Sequence, residues 1–172
     1  DVMETVEIIR VGSAAEEFDA PTTFKLKQEE LVAEKEAAAA KAKADFEAFL
    51  NEQYPDRQTT ESGLMYVIKK QGAGPKAEQG DSINVNYIGR FTDGKVFDTS
   101  YEAVAKENNI FNPQRPYEPL PLTCGVGQVI PGWDEGIQLL NQGGSAVLII
   151  RPHLAYGERG YPGAIPPNAT LI

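Results

Sequence analysis

Two tyrosines, Tyr156 and Tyr161, stand in the stretch AYGERGYPGAIPP, residues 155–167, among three glycines and three prolines. Glycine supplies positive φ and proline fixes φ while removing a donor, so the stretch reads as a loop of set turns that presents its aromatics. A phenol held this way is suited to donating one hydrogen bond to a ligand; equally, it can cover a core edge. Other candidates lie where the chain order can gather them nearby. Tyr87 ends one strand, Phe97-Asp98 end a hairpin, Val129-Ile130 lead into a short helix, Trp133 sits in its first turn, and Ile165 lies on the loop. Together they describe an apolar box with a tryptophan floor and a few polar tips, namely the tyrosine hydroxyls and Asp98. The competing reading is plain core: Trp133, Ile137 and Leu140 share one helix face, and Phe97 fits a core position equally well.

Composition narrows the chemistry. The 172 residues hold one cysteine, Cys124, and one histidine, His153, which leaves no internal disulfide and no Cys/His metal cluster, and calls for no cofactor. Net charge is −9, and residues 1–60 carry fourteen acids against seven bases while residues 61–172 carry eleven against nine. Most of the acidity therefore belongs to the first third, and a nucleic-acid partner, which requires a basic face, is excluded. No apolar run reaches the length of a membrane span, and no signal peptide is visible. The chain begins at Asp1, which reads as a processed or excised piece.

The elements that must position these residues follow from periodicity. Residues 1–20 hold a short strand, Val6 to Val11, and a linker; the strand is either the end of a preceding domain or an added edge strand. Residues 21–55 form a long helix that, after Pro21, is free of Gly and Pro until Tyr54-Pro55, with Thr22 or Thr23 as its cap. Phe24, Leu31, Ala38, Ala42, Phe46 and Phe49 make one thin apolar stripe on a charged rod roughly 45 Å long. Such a rod suits a solvated spacer, a dimer contact or a grip for client chains. A second unit spans residues 61–172. It has a strand over Leu64 to Lys70, two alternating strands within DSINVNYIGRFTDGKVFDTS joined at Asp93-Gly94 by a primed turn, and an irregular insertion at 101–119. A short helix follows in PGWDEGIQLL, with Pro131 at its start and Gly143-Gly144 beyond its end, then a strand over Ala146 to Ile150. The fold class is α+β, an antiparallel sheet covered by one short helix and preceded by a long helix.

Three segments, VNYIGRFTDGKVFDTS, GVGQVIPGWDEGIQLLNQGGSAVLIIRP and AYGERGYPGAIPPNATL, occur in the order and register of the FKBP-type peptidyl-prolyl cis–trans isomerases, which residues 61–172 resemble. The layout is similar to bacterial envelope members with a helical N-terminal extension, which favours a cell-envelope or periplasmic setting and leaves the cytoplasm open. The resemblance implies a twisted sheet wrapped on the short helix. It implies a catalytic set of Tyr87, Asp98 and Tyr156, and a proline pocket lined by Phe97, Leu120, Val129, Ile130, Trp133, Tyr161 and Ile165. Leu120 stands where an aromatic is common, Tyr161 where histidine is common, and Gln128 where the smallest members have an acid. These departures bear on client and macrolide preference. Implied partners are proline-containing unfolded or partly folded proteins and macrolide inhibitors, with a homodimer through the N-terminal helix as a further expectation. In the family a central strand follows the ATL motif, whereas this chain stops at Ile172, so a gap in the sheet is expected, with Val6 to Val11 as one candidate to fill it.

The implied chemistry needs no nucleophile. Rotation about an X-Pro bond faces a barrier of ~18–20 kcal/mol from amide resonance. Moving the dipolar planar amide from water into apolar walls disfavours it relative to the twisted transition state.

Overall fold

A computed structural model describes residues 19–172, so the strand read over Val6 to Val11 lies outside the described residues. The chain divides into two compact units, meeting between Pro55 and Asp56. In the first, helix α1 runs Ala20–Gln53. Its cap is Asp19 rather than Thr22 or Thr23: the Asp19 carboxylate accepts from Thr22 N at 3.2 Å, and Pro21 occupies the first turn, where a missing N–H costs nothing. The Thr22 hydroxyl, which also donates to Asp19, holds that carboxyl below its ordinary pKa. Tyr54 closes the helix, its N–H returning to Leu50 O. Near this end the rings of Phe46 and Phe49 stack at 6.3 Å, and Tyr54 meets Phe49 edge-on at 6.0 Å.

The second unit is an antiparallel sheet system around one short helix. Strand β1 (Gln58–Thr59) pairs with β2 (Met65–Lys70), and β2 pairs with β7 (Ser145–Ile149), Met65 facing Ile149. Ahead of the Asp93-Gly94 turn, residues 82–90 hold two strands, the first of which stops just short of Tyr87. Strand β3 (Ser82–Val85) pairs with β6 (Leu120–Thr123), while β4 (Ile88–Arg90) pairs with β5 (Val96–Thr99). The break falls at Asn86-Tyr87 for a physical reason. The Tyr87 carbonyl takes the Thr99 hydroxyl at 2.9 Å and Ser100 N at 3.0 Å, and Tyr87 N donates to Ser100 Oγ at 2.9 Å. Side-chain hydroxyls here replace ladder bonds, and Thr99 and Ser100 are buried to make them.

The β4–β5 turn also departs from expectation. Only Gly94 (φ +86°) is left-handed, Phe91 N donates to Lys95 O, and the register shifts at Gly89/Arg90, so the loop is longer than a two-residue primed turn. The insertion contains a helix of its own, α2 (Glu102–Glu107). At the far end of the chain, Leu171 exchanges both backbone bonds with Ile150, and Ile172 exchanges both with Arg90. This pair therefore links the β7 side of the sheet to the β4 side.

Helix α3 (Pro131–Ile137) ends earlier than its apolar pattern suggested, with Leu139 and Leu140 in tighter turns that return to Gly136 and Ile137. It lies unusually near the strands because two of its residues lack side chains. A Cβ on Gly136 would come within 2.4 Å of Leu148, and one on Gly132 within 2.5 Å of Ile150. Trp133, carried between them, packs against two buried clusters at once: Leu64, Ile150, Leu154, Ile165 and Leu171 on one side, and Leu122, Cys124 and Ile137 on the other. Cys124 is fully buried, and burial, reinforced by the charges of Asp134 and Asp81, pushes its thiol pKa up.

Gly132→Ala is expected to destabilise this unit by ~1–3 kcal/mol, since overpacking against the buried Ile150 outweighs the ~1 kcal/mol gained in helix propensity. Urea unfolding followed by the fluorescence of Trp133, the only tryptophan, checks this; an unchanged or raised midpoint would refute the close-approach account.

Candidate functional site

The break at Tyr87 aims its ring at the helix. Tyr87 meets Trp133 edge-on, with centroids 5.0 Å apart and planes at 78°, a favourable arrangement for two quadrupoles. Its hydroxyl donates to Asp98 Oδ2 at 2.6 Å. Asp98 is placed for this by the β4–β5 register, which sets it opposite Gly89. Its other oxygen, Oδ1, accepts from Thr99 N at 2.9 Å and from Arg115 Nη1. Arg115 Nη2 in turn donates to the Tyr87 hydroxyl at 2.7 Å. Three groups from three separate segments thus close a ring of charge-assisted bonds.

Phe97 lies on the strand beside Asp98, and its ring passes over Gly89, where a Cβ would stand 2.6 Å away. It also packs on Phe91 at 4.9 Å. Phe97, Ile130 and Trp133 all pack against the cluster containing Ile165, so these four expected wall residues are brought together. Val129 packs with Trp133 against the second cluster. Leu120 belongs to neither cluster: it pairs with Val85 on β6 and is exposed.

The 155–167 loop is as constrained as its composition suggested. Tyr161 and Ile165 exchange both backbone bonds at 2.8 Å, and Gly160 (φ +64°) lies against the Ile165 carbonyl so tightly that any Cβ would collide with it. This fold buries Ile165 while leaving the rings of Tyr156 and Tyr161, 5.8 Å apart, 40% and 58% exposed. The Tyr156 hydroxyl has no hydrogen-bond partner among the described residues. Its pKa is raised by burial first and by the nearby charge of Asp98 second. Tyr87 is pushed up to about 12, chiefly by burial and then by Asp98, with Arg115 opposing. Hydrogen bonding to Asp98 likewise raises Arg115, so the guanidinium stays charged at any working pH.

The acids at the start of α3 hold neighbouring segments in place. Asp134 accepts from Gly125 N at 3.0 Å and Gly127 N at 2.6 Å, clamping the turn that leads to Val129, and Glu135 accepts from Ser62 Oγ. Sequence reasoning missed Arg115, Thr99 and Ser100. The polar pair after FD was the available signal for the two hydroxyls; nothing in the spacing of an arginine seventeen residues beyond Asp98 marks it as a partner. Among the described residues no group of His, Cys, Asp and Glu is arranged to hold a metal ion, and no helix is long and apolar enough to cross a membrane.

This geometry meets its counterpart among known proteins. A family model described as FKBP-type peptidyl-prolyl cis-trans isomerase matches residues 74–172. The chain belongs to the FKBP-type peptidyl-prolyl cis-trans isomerase family. Within it, a Neisseria meningitidis protein named "Probable FKBP-type peptidyl-prolyl cis-trans isomerase FkpA" is 43% identical over 152 residues, 87% of this chain and 50% of that protein. FK506-binding protein 1A of Neurospora crassa is 42% identical over 111 residues, 64% of this chain and 82% of that protein. The crystal structure of FkpA from Escherichia coli matches with a TM-score of 0.57, at 33% identity, over 94% of this chain and 70% of that one. The chain spans about half the length of the FkpA-type curated relatives it matches. The FKBP-type fold accounts for the sheet wrapped on one short helix, and the FkpA likeness extends over the long helix as well.

Tyr87 holds its proton more tightly folded than unfolded, so its contribution to stability is complete below pH 10 and is lost as pH rises from about 10 to about 12. In a ¹³C NMR titration of the tyrosine ring carbons, Tyr87 is expected to ionise near 12, and Asp98→Asn to lower that value. A Tyr87 midpoint at 10 would contradict the buried, Asp98-bonded hydroxyl.

Proposed function

We propose that the chain is a peptidyl-prolyl cis–trans isomerase that assists folding by taking X-Pro bonds of unfolded or partly folded proteins into the site around Trp133. The observation that carries this is the division of labour among the polar groups. The Tyr87 hydroxyl is already both donor and acceptor, and Asp98 already accepts three bonds, so neither is placed to exchange protons with a substrate. Tyr156 alone of the three catalytic candidates has an uncommitted hydroxyl, on a partly exposed side chain that feels the charge of Asp98.

The roles follow. The apolar faces of Phe97, Val129, Ile130, Trp133 and Ile165 strip water from the prolyl ring and its amide, which disfavours the dipolar planar form. Tyr156 donates to the substrate carbonyl and holds one pose. Asp98 orients Tyr87, whose ring completes the wall on Trp133. Leu120 and Tyr161, both exposed, flank the site as contacts for residues on either side of the proline. Raising a rate near 10⁻² s⁻¹ to about 10³ s⁻¹ requires roughly 7 kcal/mol, within reach of desolvation, fixed pose and one or two hydrogen bonds together. A macrolide would use the same walls; Gln128 is engaged there as the acceptor for Thr123 N at 2.7 Å. Helix α1 suits pairing with a second copy of the chain, because Phe24, Leu26, Leu31 and Val32 stand exposed along it.

Cis-to-trans relaxation of a Leu-Pro-Phe peptide tests the reading. Tyr156→Phe is expected to lower kcat/KM about tenfold, the worth of one neutral hydrogen bond, and Asp98→Val by more. A folded chain that gives no acceleration, yet suppresses aggregation of a proline-independent client, would replace this reading with that of a non-catalytic client-binding chaperone. Sedimentation with and without residues 1–55 tests self-association, an unchanged number of chains per particle ruling it out.

A further inference from the structure

The insertion at 101–119 is folded around a column of rings and cations. Helix α2 is anchored by the fully buried Ala105, and Asn109, at φ +57°, turns the chain back so that Ile110 N reaches Ala105 O. Phe111 and Tyr117 then stack at 5.5 Å with planes only 18° apart. Lys106 Nζ lies 4.8 Å from the Phe111 centroid, and the Arg115 guanidinium carbon 5.7 Å from that of Tyr117. Asn112 ties the intervening turn: its N–H donates to Tyr117 Oη, and it accepts from Gln114 N and Arg115 N. The contacts of Lys106, Phe111 and Tyr117 given above stay within the insertion. Arg115 belongs also to the Trp133 site, since the guanidinium beside Tyr117 is the one that bonds Asp98 and the Tyr87 hydroxyl.

We propose that the Phe111–Tyr117 stack is a brace that holds Arg115 across Tyr87 and Asp98, making Tyr117 a positioning residue for the site. An arginine on a surface loop has many rotamers, and a planar guanidinium against a ring loses most of them before it meets its carboxylate. Without the ring, Arg115 trades its bonds to Asp98 and Tyr87 for water, and the Tyr87 ring loses one of the two partners that fix its hydroxyl. The insertion thereby acts on the site through one side chain. In its effect on turnover this inference rests on the isomerase reading; in its structural part it does not.

The test uses the full chain with Tyr117→Leu, Tyr117→Phe, Arg115→Gln, and Tyr117→Leu combined with Arg115→Gln. Two readouts are taken: the Arg115 guanidinium resonances by ¹⁵N NMR, and kcat/KM on the prolyl peptide. In the parent chain the Arg115 Nη protons are expected to be resolved and slow to exchange, and in Tyr117→Leu to collapse into the average of the solvent-exposed arginines. Tyr117→Leu is expected to lower kcat/KM about three- to tenfold, from the magnitudes of surface cation–ring and ring–ring contacts. Tyr117→Phe, which keeps the stack, is expected to restore most of the loss. The double variant is expected to match Arg115→Gln alone, because the brace has no other route to the site. Unchanged Arg115 resonances in Tyr117→Leu would overturn the brace, as would losses that multiply in the double variant. A parent chain without turnover would refute the isomerase reading, and the resonances would still decide the brace.

Discussion

The distance between helix α3 and strand β7 is the constraint on which the rest of the second unit depends. Gly132 and Gly136, four residues apart and therefore on one helix face, remove the side chains that would otherwise hold the helix off Ile150 and Leu148. Trp133 then falls between two buried clusters with one edge left for Tyr87. A larger residue at either glycine would lift the helix by the width of a methyl group. That displacement is felt at once in an interior packed to crystal density. The aromatic floor of the site is thus set by two positions that contribute nothing to it chemically.

A second dependence runs through polar groups. Tyr87 leaves the ladder between β3 and β4 and is held instead by Thr99 and Ser100, while its hydroxyl is held by Asp98 and Arg115. Buried polar networks of this kind are costly when partly satisfied and rigid when complete. Here the two hydroxyls, the carboxylate and the guanidinium all find partners, so the Tyr87 ring has little freedom to turn away from Trp133. The Tyr156 side chain, on a loop whose backbone is fixed by Gly160 and the Tyr161–Ile165 pair, keeps its polar atom unspent. Rigidity and availability are assigned to different residues.

Much of this was legible in the amino-acid sequence. The close of α1 at Tyr54, the loop at 155–167 and the start of α3 at Pro131 carry local signals, since proline, glycine and apolar spacing act within a few residues. That Phe97, Ile130, Trp133 and Ile165 gather in one place followed from where strands and helix end. That a strand ends near Tyr87 was legible, but the restart of the chain as a separate strand, β4, was not, because INVNYIG alternates like one strand and the groups that divide it, Thr99 and Ser100, come from the far end of β5. Arg115 was hidden for a similar reason. Its partners lie seventeen and twenty-eight residues away, joined by a fold of the insertion whose stabilising contacts are between rings rather than along any periodic face. The cap at Asp19 was misplaced by only a few residues, as befits helix ends, where several side chains compete for the same free N–H groups.

Cys124 gives the second unit a built-in reporter. The thiol is enclosed between β6 and the turn clamped by Asp134, and both burial and the neighbouring carboxylates oppose the thiolate on which alkylation and disulfide exchange depend. In the native state this sulfur is therefore chemically silent. It becomes reactive only when the strand and turn separate, so the rate at which a thiol reagent consumes it counts opening events of the structure around Trp133. A protein whose proposed work is to turn other chains carries, in its one cysteine, a clock for its own unfolding.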